Sequence, residues 1–424
     1  MSHRADVVIV GAGAAGLMTA ISCARHARAA RVLCLDGART IGAKILVSGG
    51  ARCNVTNRVV TERDFWGGSP RHVRDVLRAF TSTRTADFFG ELGVRLHEEP
   101  EGKLFPDTNR ARTVLDALLQ ELARLGVEVR AGHRVTGVRR HTGGFTIETP
   151  QGSWTALHVA LATGGRSLPK SGSDGFGYEI ARSLGHGYVD TTPALVPLVL
   201  GDDRLRALSG VAHPVTIRVR ADGTPPTRLT GALLWTHFGA SGPVVLNASR
   251  HWAQAMLHHQ LAHVSVNVVP DATFEALEAW MLDEAAEHPR TTVGRILATR
   301  LPAAVADAWT ALAEIESDTT MAHLSREHRR ALVRTLLDTR LDVRDTRGYQ
   351  YAEVTAGGVP LGEIDARTME SRICPGLFLV GEILDVDGRI GGFNFQWAWS
   401  SGWVAGKALA ERLLVPAPSE SPPH

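Results

Sequence analysis

Lysine is almost absent from this chain: among 46 basic residues only Lys44, Lys103, Lys170 and Lys407 are lysines, and arginine supplies the rest. A GC-rich genome explains such a bias, and so does phosphate recognition through planar guanidinium forks. Cysteine is scarce too, with Cys23, Cys34, Cys53 and Cys374 standing apart, no CxxC pair and no metal-ligand spacing. That excludes a disulfide framework, predicts no metal site and fits a reducing cytoplasm. Long apolar runs are missing. Residues 1–20 hold one short apolar run broken by glycines, which is no secretory signal. Nowhere does an uninterrupted stretch approach the ~20 residues of a membrane span. A cytoplasmic protein with no membrane partner is the expectation. Excess charge is lacking as well, because the net charge is only +2, which argues neither for nor against a polyanionic partner. At 424 residues the chain is long for one core, so two or three domains are expected. Nothing in the composition specifies an oligomeric state.

What is present begins at once. "ADVVIVGAGAAGLMTAISCARH" reads as a β-branched strand, then Gly11-x-Gly13-x-x-Gly16, then a helix rich in alanine and leucine. Gly11 permits the tight turn, Gly13 lets a pyrophosphate approach the backbone past Ala14 and Ala15, and Gly16 lets helix and strand pack closely. The positive end of the helix then faces the phosphates. A second strand, "RVLCLD", ends at Asp36 and is followed by Gly37. Asp36 lies about 20 residues beyond the glycines, where a carboxylate accepts hydrogen bonds from an adenosine ribose. An acid there favours FAD or NAD over NADP, whose 2′-phosphate it repels.

The far end of the chain decides between those two. "PGLFLVGEILDVDGRIGGFNFQWAWSSGWVAGKALAERL" is a strand, a Gly381-Glu382 turn with Asp385 close by, a loop through Gly391 and Gly392, and a helix from Phe393, Asn394 and Gln396 onward. Two-domain FAD enzymes close with a similar element, in which the acid holds the ribityl chain and the helix N-terminus faces the flavin pyrimidine. A positive helix end stabilises negative charge there when the ring is reduced. "ALATGG" delivers Thr163, Gly164 and Gly165 to the nucleotide edge from another strand. A simple NAD dehydrogenase needs neither segment, so the cofactor expected is FAD. No flavin-linking His or Cys motif is evident, and the FAD is expected to be non-covalent.

Between these ends lie "KILVSGGARCNVTN", "LFPDTNRA", "WTHFGASGPVVL" and "AEVTAGGV". With the closing element they resemble the BaiN/YhiN-like NAD(P)/FAD-dependent oxidoreductases, which include aminoacetone-oxidase-like flavoproteins. The resemblance runs from residue 5 to about residue 413. It implies that residues 42–57 wrap the flavin, with Lys44 and Arg52 near the pyrophosphate or ring edge and Ser48, Gly49 and Gly50 passing the isoalloxazine. Arg52 and Asn54 either act on the flavin or tie down the loop. Cys53 is either a proton donor beside the ring or a small packing residue. The family has three glycines before Arg-Cys-Asn, whereas this chain has Ala51 at the third, which questions any positive φ there.

The middle of the chain changes period. Residues 75–130 carry helical patterns, and the strands after residue 128 fit a meander with Val135 as an adenine-side backbone contact. From Thr191, "TTPALVPLVL", "HPVTIRVR" and "HVSVNVVP" alternate at strand period, and residues 271–340 turn helical. The alternation reads as an antiparallel barrel or sandwich, and the resemblance implies an α/β architecture: a glutathione-reductase-like, Rossmann-like FAD domain interrupted by a β-barrel-like domain that itself carries a helical domain. The boundaries expected are 1–190 for the first part of the FAD domain, 191–270 for the barrel and 271–340 for the helices. A return strand over 341–355 and a second FAD-domain part over 356–424, ending in a disordered Pro/Ser tail, complete the division. His237, in the glycine-broken "WTHFGASGP", is either a candidate acid/base or a structural histidine. Arg290, Arg295, Arg300, Arg326, Arg329 and Arg330 make either a phosphate-binding face or a solvated surface.

No second GxGxxG follows a strand, so a dedicated NAD(P)H domain is excluded and NAD(P)H is expected as a transient electron donor. The leading function is hydride delivery from flavin to an activated C=C bond. The resemblance implies substrates of two kinds, small enones and uridine in ribosomal RNA. An amine oxidase ranks lower, because an aromatic cage needs more than four tyrosines. A flavin redox sensor is the third class.

Overall fold

In the computed structural model the described residues are 3–414, and the tail beyond Val415 lies outside them. They form two compact units, Met1–Thr191 with Glu353–His424, and Thr192–Ala352. The first begins with β1 (Val7–Val10), α1 (Ala14–His26), β2 (Val32–Leu35), α2 (Ala43–Ala51), β3 (Glu128–Arg130) and β4 (His158–Leu161). All four residues of β1 and of β2 are buried, as continuous apolar runs must be when a parallel strand is covered on both faces.

The second unit follows the chain through β5 (Leu198–Leu200), β6 (Ala212–Ala221), β7 (Thr227–Thr236), β8 (Gly239–Ser241), α3 (Pro243–Leu257) and β9 (Ala262–Asn267). Four helices come next: α4 (Phe274–Glu287), α5 (Val293–Leu297), α6 (Ala303–Leu312) and α7 (Arg326–Leu337). The edge strands β10 (Thr339–Leu341) and β11 (Val343–Thr346) complete it. β12 (Val354–Gly358), β13 (Leu377–Leu379) and α8 (Phe393–Leu414) then finish the first unit.

The first unit's central sheet is parallel in the order β13-β4-β1-β2-β3. Its β1–turn–α1 step therefore lies mid-sheet, beside β4, and both strands deliver their C-terminal ends to one edge. An antiparallel meander over Gly137–His141, Gly144–Thr149 and Gly152–Ala156 stands beside it. α8 packs against α1 so closely that a Cβ on Gly402 would lie 2.6 Å from Ala15 O.

In the second unit seven strands run β10-β9-β6-β7-β8-β5-β11. The two edge strands are consecutive in the chain, parted by Asp342 alone, so the sheet curls until its edges meet and forms a barrel. The helices do not close a core of their own. Trp309 of α6 packs at 5.9 Å between ring centroids on Trp235 of β7, and both are fully buried in a single core.

Candidate active site

The β1–α1 turn forms the first part of the site. Gly11 takes φ +102° and its N–H donates to Leu35 O at 2.8 Å, tying the turn to β2. α1 starts after Gly13 with no side-chain cap and no acid in its first turn. Its first N–H groups have no partner within the helix, and a Cβ on Gly13 would meet nothing within 4 Å. Open space, bare N–H groups and the positive helix end together fit a pyrophosphate. Asp36 ends β2 with Oδ2 accepting from Ala12 N–H at 2.6 Å and Oδ1 accepting from Ala38 N–H at 2.7 Å. Burial raises its pKa, while those two N–H groups pull it back. His133 N–H donates to Asp36 O at 2.8 Å, and Gly37 packs on Arg134, so the segment leading to the buried Val135 lies beside the ribose acid.

The strand end of β4 supplies the second part. Thr163 Oγ1 is buried without a partner, and Gly165 passes so close to Thr355 and Glu382 that a side chain has no room. Around it sits a network that sequence reasoning had only in pieces. Lys44 Nζ donates to Glu382 Oε2 and to Ser167 Oγ, each at 2.6 Å, and Ser167 Oγ donates to Glu382 Oε1 at 2.6 Å. Thr355 N–H donates to the same Oε1 at 2.9 Å, while Thr355 Oγ1 accepts from the N–H of Arg166 and Ser167. Lys44 and Glu382, expected singly as cofactor contacts, are thus one ion pair. Ser167 and Thr355 went unassigned. The signal was there, since Ser167 is two residues past the TGG turn and Thr355 is the threonine of "AEVTAGGV".

Residues 48–54 make an unusual turn. α2 breaks at Ser48, whose ψ is 148°, and Gly49, Gly50 and Ala51 then take φ of +55°, +68° and +65°. Three consecutive left-handed residues explain the glycines, and Ala51 does adopt the conformation that its methyl disfavours. Arg52 is a correction. Its guanidinium is forked onto Glu99 at 2.6 and 3.3 Å and lies 4.2 Å from the Phe105 ring centre, so its charge is spent on fastening the loop. Cys53 is a second correction. The residue is 0% exposed, which packs its thiol away from any substrate, and burial pushes its pKa up to about 12. Asn54 has a buried Oδ1 with no hydrogen-bond partner among the described residues, an acceptor left open on this turn.

The closing element is also part contact and part strut. Asp385 is half-buried, and its carbonyl accepts from Gly68 N–H at 2.7 Å. Gly391 and Gly392 lead into α8, whose first N–H groups are available for an anion. The side chains of the three residues expected at the cofactor from this helix start are engaged within the protein. Phe393 is 0% exposed. Asn394 is pinned to the N–H and C=O of Gly388 at 2.8 Å each. Gln396 is buried and saturated by Thr56 Oγ1, Phe80 O and Ser400 Oγ. Their side chains hold the helix start in place, and only backbone remains to meet a ligand.

Residues 5–408 match the HI0933-like protein Rossmann domain family. The chain belongs to that family. It is 36% identical to the ribosomal RNA dihydrouridine synthase of Escherichia coli K12, across 96% of this chain and 98% of the relative. It is 34% identical to the 3-dehydro-bile acid delta(4,6)-reductase of Clostridium scindens, across 95% of this chain and 98% of that protein. Two solved folds are similar. An E. coli quinol fumarate reductase chain matches with TM-score 0.51 at 18% identity, over 99% of this chain and 72% of that one. The 3-ketosteroid delta1-dehydrogenase of Sterolibacterium denitrificans matches with TM-score 0.51 at 13% identity, over 97% and 100%. The HI0933-like chain is an FAD-binding oxidoreductase, and the cradle described above fits that cofactor.

Other expected residues of this HI0933-like chain lie in its second unit. His237 is exposed on the turn between β7 and β8, its ring edge-on to Phe238 at 5.1 Å. The arginine face is narrower than expected. Arg329 and Arg330 both face Glu278, at 3.7 and 3.6 Å, and Arg300 lies 4.1 Å from the Trp280 ring centre. Arg290, Arg295 and Arg326 make no ion pair among the described residues. One further cluster imitates a hydrolase. His186 bridges Glu363 at 2.7 Å and Ser371 Oγ at 2.9 Å. Yet Ser371 Oγ already accepts from Ile373 and Cys374 N–H, and the imidazole is fully buried, so the trio staples loops and has no access to a substrate.

Proposed function

We propose that this chain is a reductase that delivers hydride to a C=C bond conjugated with a carbonyl, and that its substrate is a uridine of ribosomal RNA. The observation that carries this reading is the 36% identity to the E. coli enzyme, which spans both ends of the cofactor cradle. FAD, when bound, supplies the hydride, drawn from NAD(P)H that visits transiently, since no second dinucleotide turn is present. The chain's own residues bind and bias. Asp36 accepts the ribose hydroxyls, and the α1 N-terminus holds the pyrophosphate. The N-terminus of α8 places positive charge where the reduced ring needs it, while Lys44, paired with Glu382 and bonded to Ser167, ties α2 to the turn after β4. Asn54 Oδ1 and Thr163 Oγ1 are the buried acceptors a bound cofactor satisfies. Uracil takes hydride at C6 and a proton at C5, and His237 is the acid we propose in place of Cys53. A cytoplasmic location goes with an RNA substrate, and among the described residues no helix is long and apolar enough to cross a membrane.

A second reading has its own support, the 34% identity to the bile acid reductase, which makes a small enone the substrate by the same hydride chemistry. Mass mapping of ribosomal RNA from a deletion strain decides between them. Loss of one dihydrouridine, restored by the wild-type gene, supports the RNA reading. An unchanged RNA map, with NADPH-dependent reduction of a steroidal enone by the pure protein, gives the second.

A further inference from the structure

On the barrel, one guanidinium sits between two aromatic rings. The Arg347 guanidinium carbon lies 4.3 Å from the ring centre of Phe238 and 3.5 Å from that of Tyr351. The two rings make no contact with each other, so the cation separates them. His237 extends the row, ring-on-edge to Phe238. Arg347 has no carboxylate partner among the described residues, whereas Arg25, Arg52, Arg130, Arg134 and Arg389, each over one ring in the first unit, all pair with an acid. The backbone that presents the row is fixed. Arg347 N–H donates to Pro197 O at 3.0 Å, Gly348 N–H to Thr346 Oγ1 at 3.2 Å, and Tyr351 N–H to Gly348 O at 3.1 Å. Tyr351 remains 49% exposed at the end of this row. A chain with four tyrosines places two of them, Tyr349 and Tyr351, in this one turn.

We propose that Tyr351, backed by Arg347 and Phe238, is a stacking platform for a base of the RNA substrate. This rests on the RNA reading given above. The chemistry selects the ligand. A flat, exposed ring with an unpaired cation behind it favours a planar base joined to an anionic backbone, because RNA bases stack on aromatic and guanidinium planes. A cationic amine is repelled by Arg347, so the row is no amine cage. An aliphatic surface gains nothing from the charge. The platform lies on the segment that leads back to the first unit, four residues before Thr355 in the chain.

The test titrates a labelled single-stranded oligouridylate against FAD-loaded protein by fluorescence anisotropy, with FAD content as the check on folding. Tyr351→Ala is expected to weaken binding about 5- to 150-fold, the range of one lost base stack. Tyr351→Phe should restore wild-type affinity, because the ring and not the hydroxyl is used. Arg347→Ala should weaken binding and lower its salt dependence. Wild-type binding that Tyr351→Ala leaves unchanged overturns the platform while the RNA reading stands. A wild-type protein that binds neither this RNA nor ribosomal RNA fragments overturns both.

Discussion

Ala51 holds φ +65°, a conformation in which a methyl costs roughly 1–2 kcal/mol. Part of that is offset by the greater freedom glycine would have in the unfolded chain. Ala51→Gly should therefore stabilise the protein by up to about 1 kcal/mol, read as a higher urea midpoint at constant slope. An unchanged or lower midpoint would mean the left-handed turn carries no strain at this residue. Asp36 makes a second case. Its folded pKa is raised, so folding binds its proton more tightly, and the stability it contributes is present at low pH and fades as pH rises through that pKa. FAD binding runs the other way, since ribose hydroxyls need the anion. Affinity for FAD should fall as the pH drops, starting above the ordinary aspartate range. Asp36→Asn should bind about 1–3 kcal/mol more weakly with that pH dependence removed, as followed by flavin fluorescence with circular dichroism reporting folding. Asp36 was legible because the nucleotide turn fixes its distance from the glycines. Arg52 and Gln396 were not, because their partners Glu99 and Phe80 lie 47 and 316 residues away in the chain. Cys53 was open to either reading in sequence, and burial decided it. All four cysteines are buried, so a thiol reagent at pH 8 should label none in the native protein and four after denaturation. Prompt labelling of Cys53 would return it to the list of reactive groups.

Elements read well where a period was strong and poorly where a contact decided the matter. α1 and α8 were both visible as helices, but not the way they meet. Gly402 and Gly406 of α8 face Ala15 and Thr19 of α1, and a Cβ on either glycine would run into the carbonyl oxygen opposite it. Ser22 Oγ also donates across to Trp403 O at 2.8 Å. Small residues one turn apart let the two backbones approach, and the start of α1 is the pyrophosphate cradle. Gly406→Ala should therefore do two things. Overpacking should lower stability by about 1–3 kcal/mol, and displacement of α1 should weaken FAD binding as well. Melting with and without added FAD separates the two effects. A variant that loses stability but gains the full shift from FAD would show that the crossing supports the fold without setting the cradle. The barrel was legible for a similar reason, since alternation from Thr191 onward marks its strands. The sharing of one core between barrel and helices was not, because nothing in a sequence period announces that Trp309 reaches Trp235.

At the scale of the whole molecule, two hydrophobic cores hold most of the buried apolar residues among the described residues, and no residue belongs to both. The second unit is one continuous stretch, Thr192–Ala352, while the first is made of two. Val189–Ala194 and Val354–Gly358 pair as strands, so the chain leaves the first unit and re-enters it at neighbouring places. A domain inserted in this way can be removed without stretching its host. A Gly/Ser linker of about six residues spans the gap from Thr191 to Glu353. Every residue assigned here to the cofactor, from Gly11 to the start of α8, lies in the first unit. The shortened protein should therefore fold, turn yellow and carry FAD. It should no longer reduce ribosomal RNA uridine, because the proposed acid His237 and the Tyr351 platform have gone with the insert. The excised 192–352 segment should melt cooperatively, remain colourless and still bind oligouridylate in a Tyr351-dependent manner. A shortened protein that is folded by circular dichroism yet empty of flavin would show that the insert helps to hold FAD, and the division of labour between the two units would then have to be redrawn.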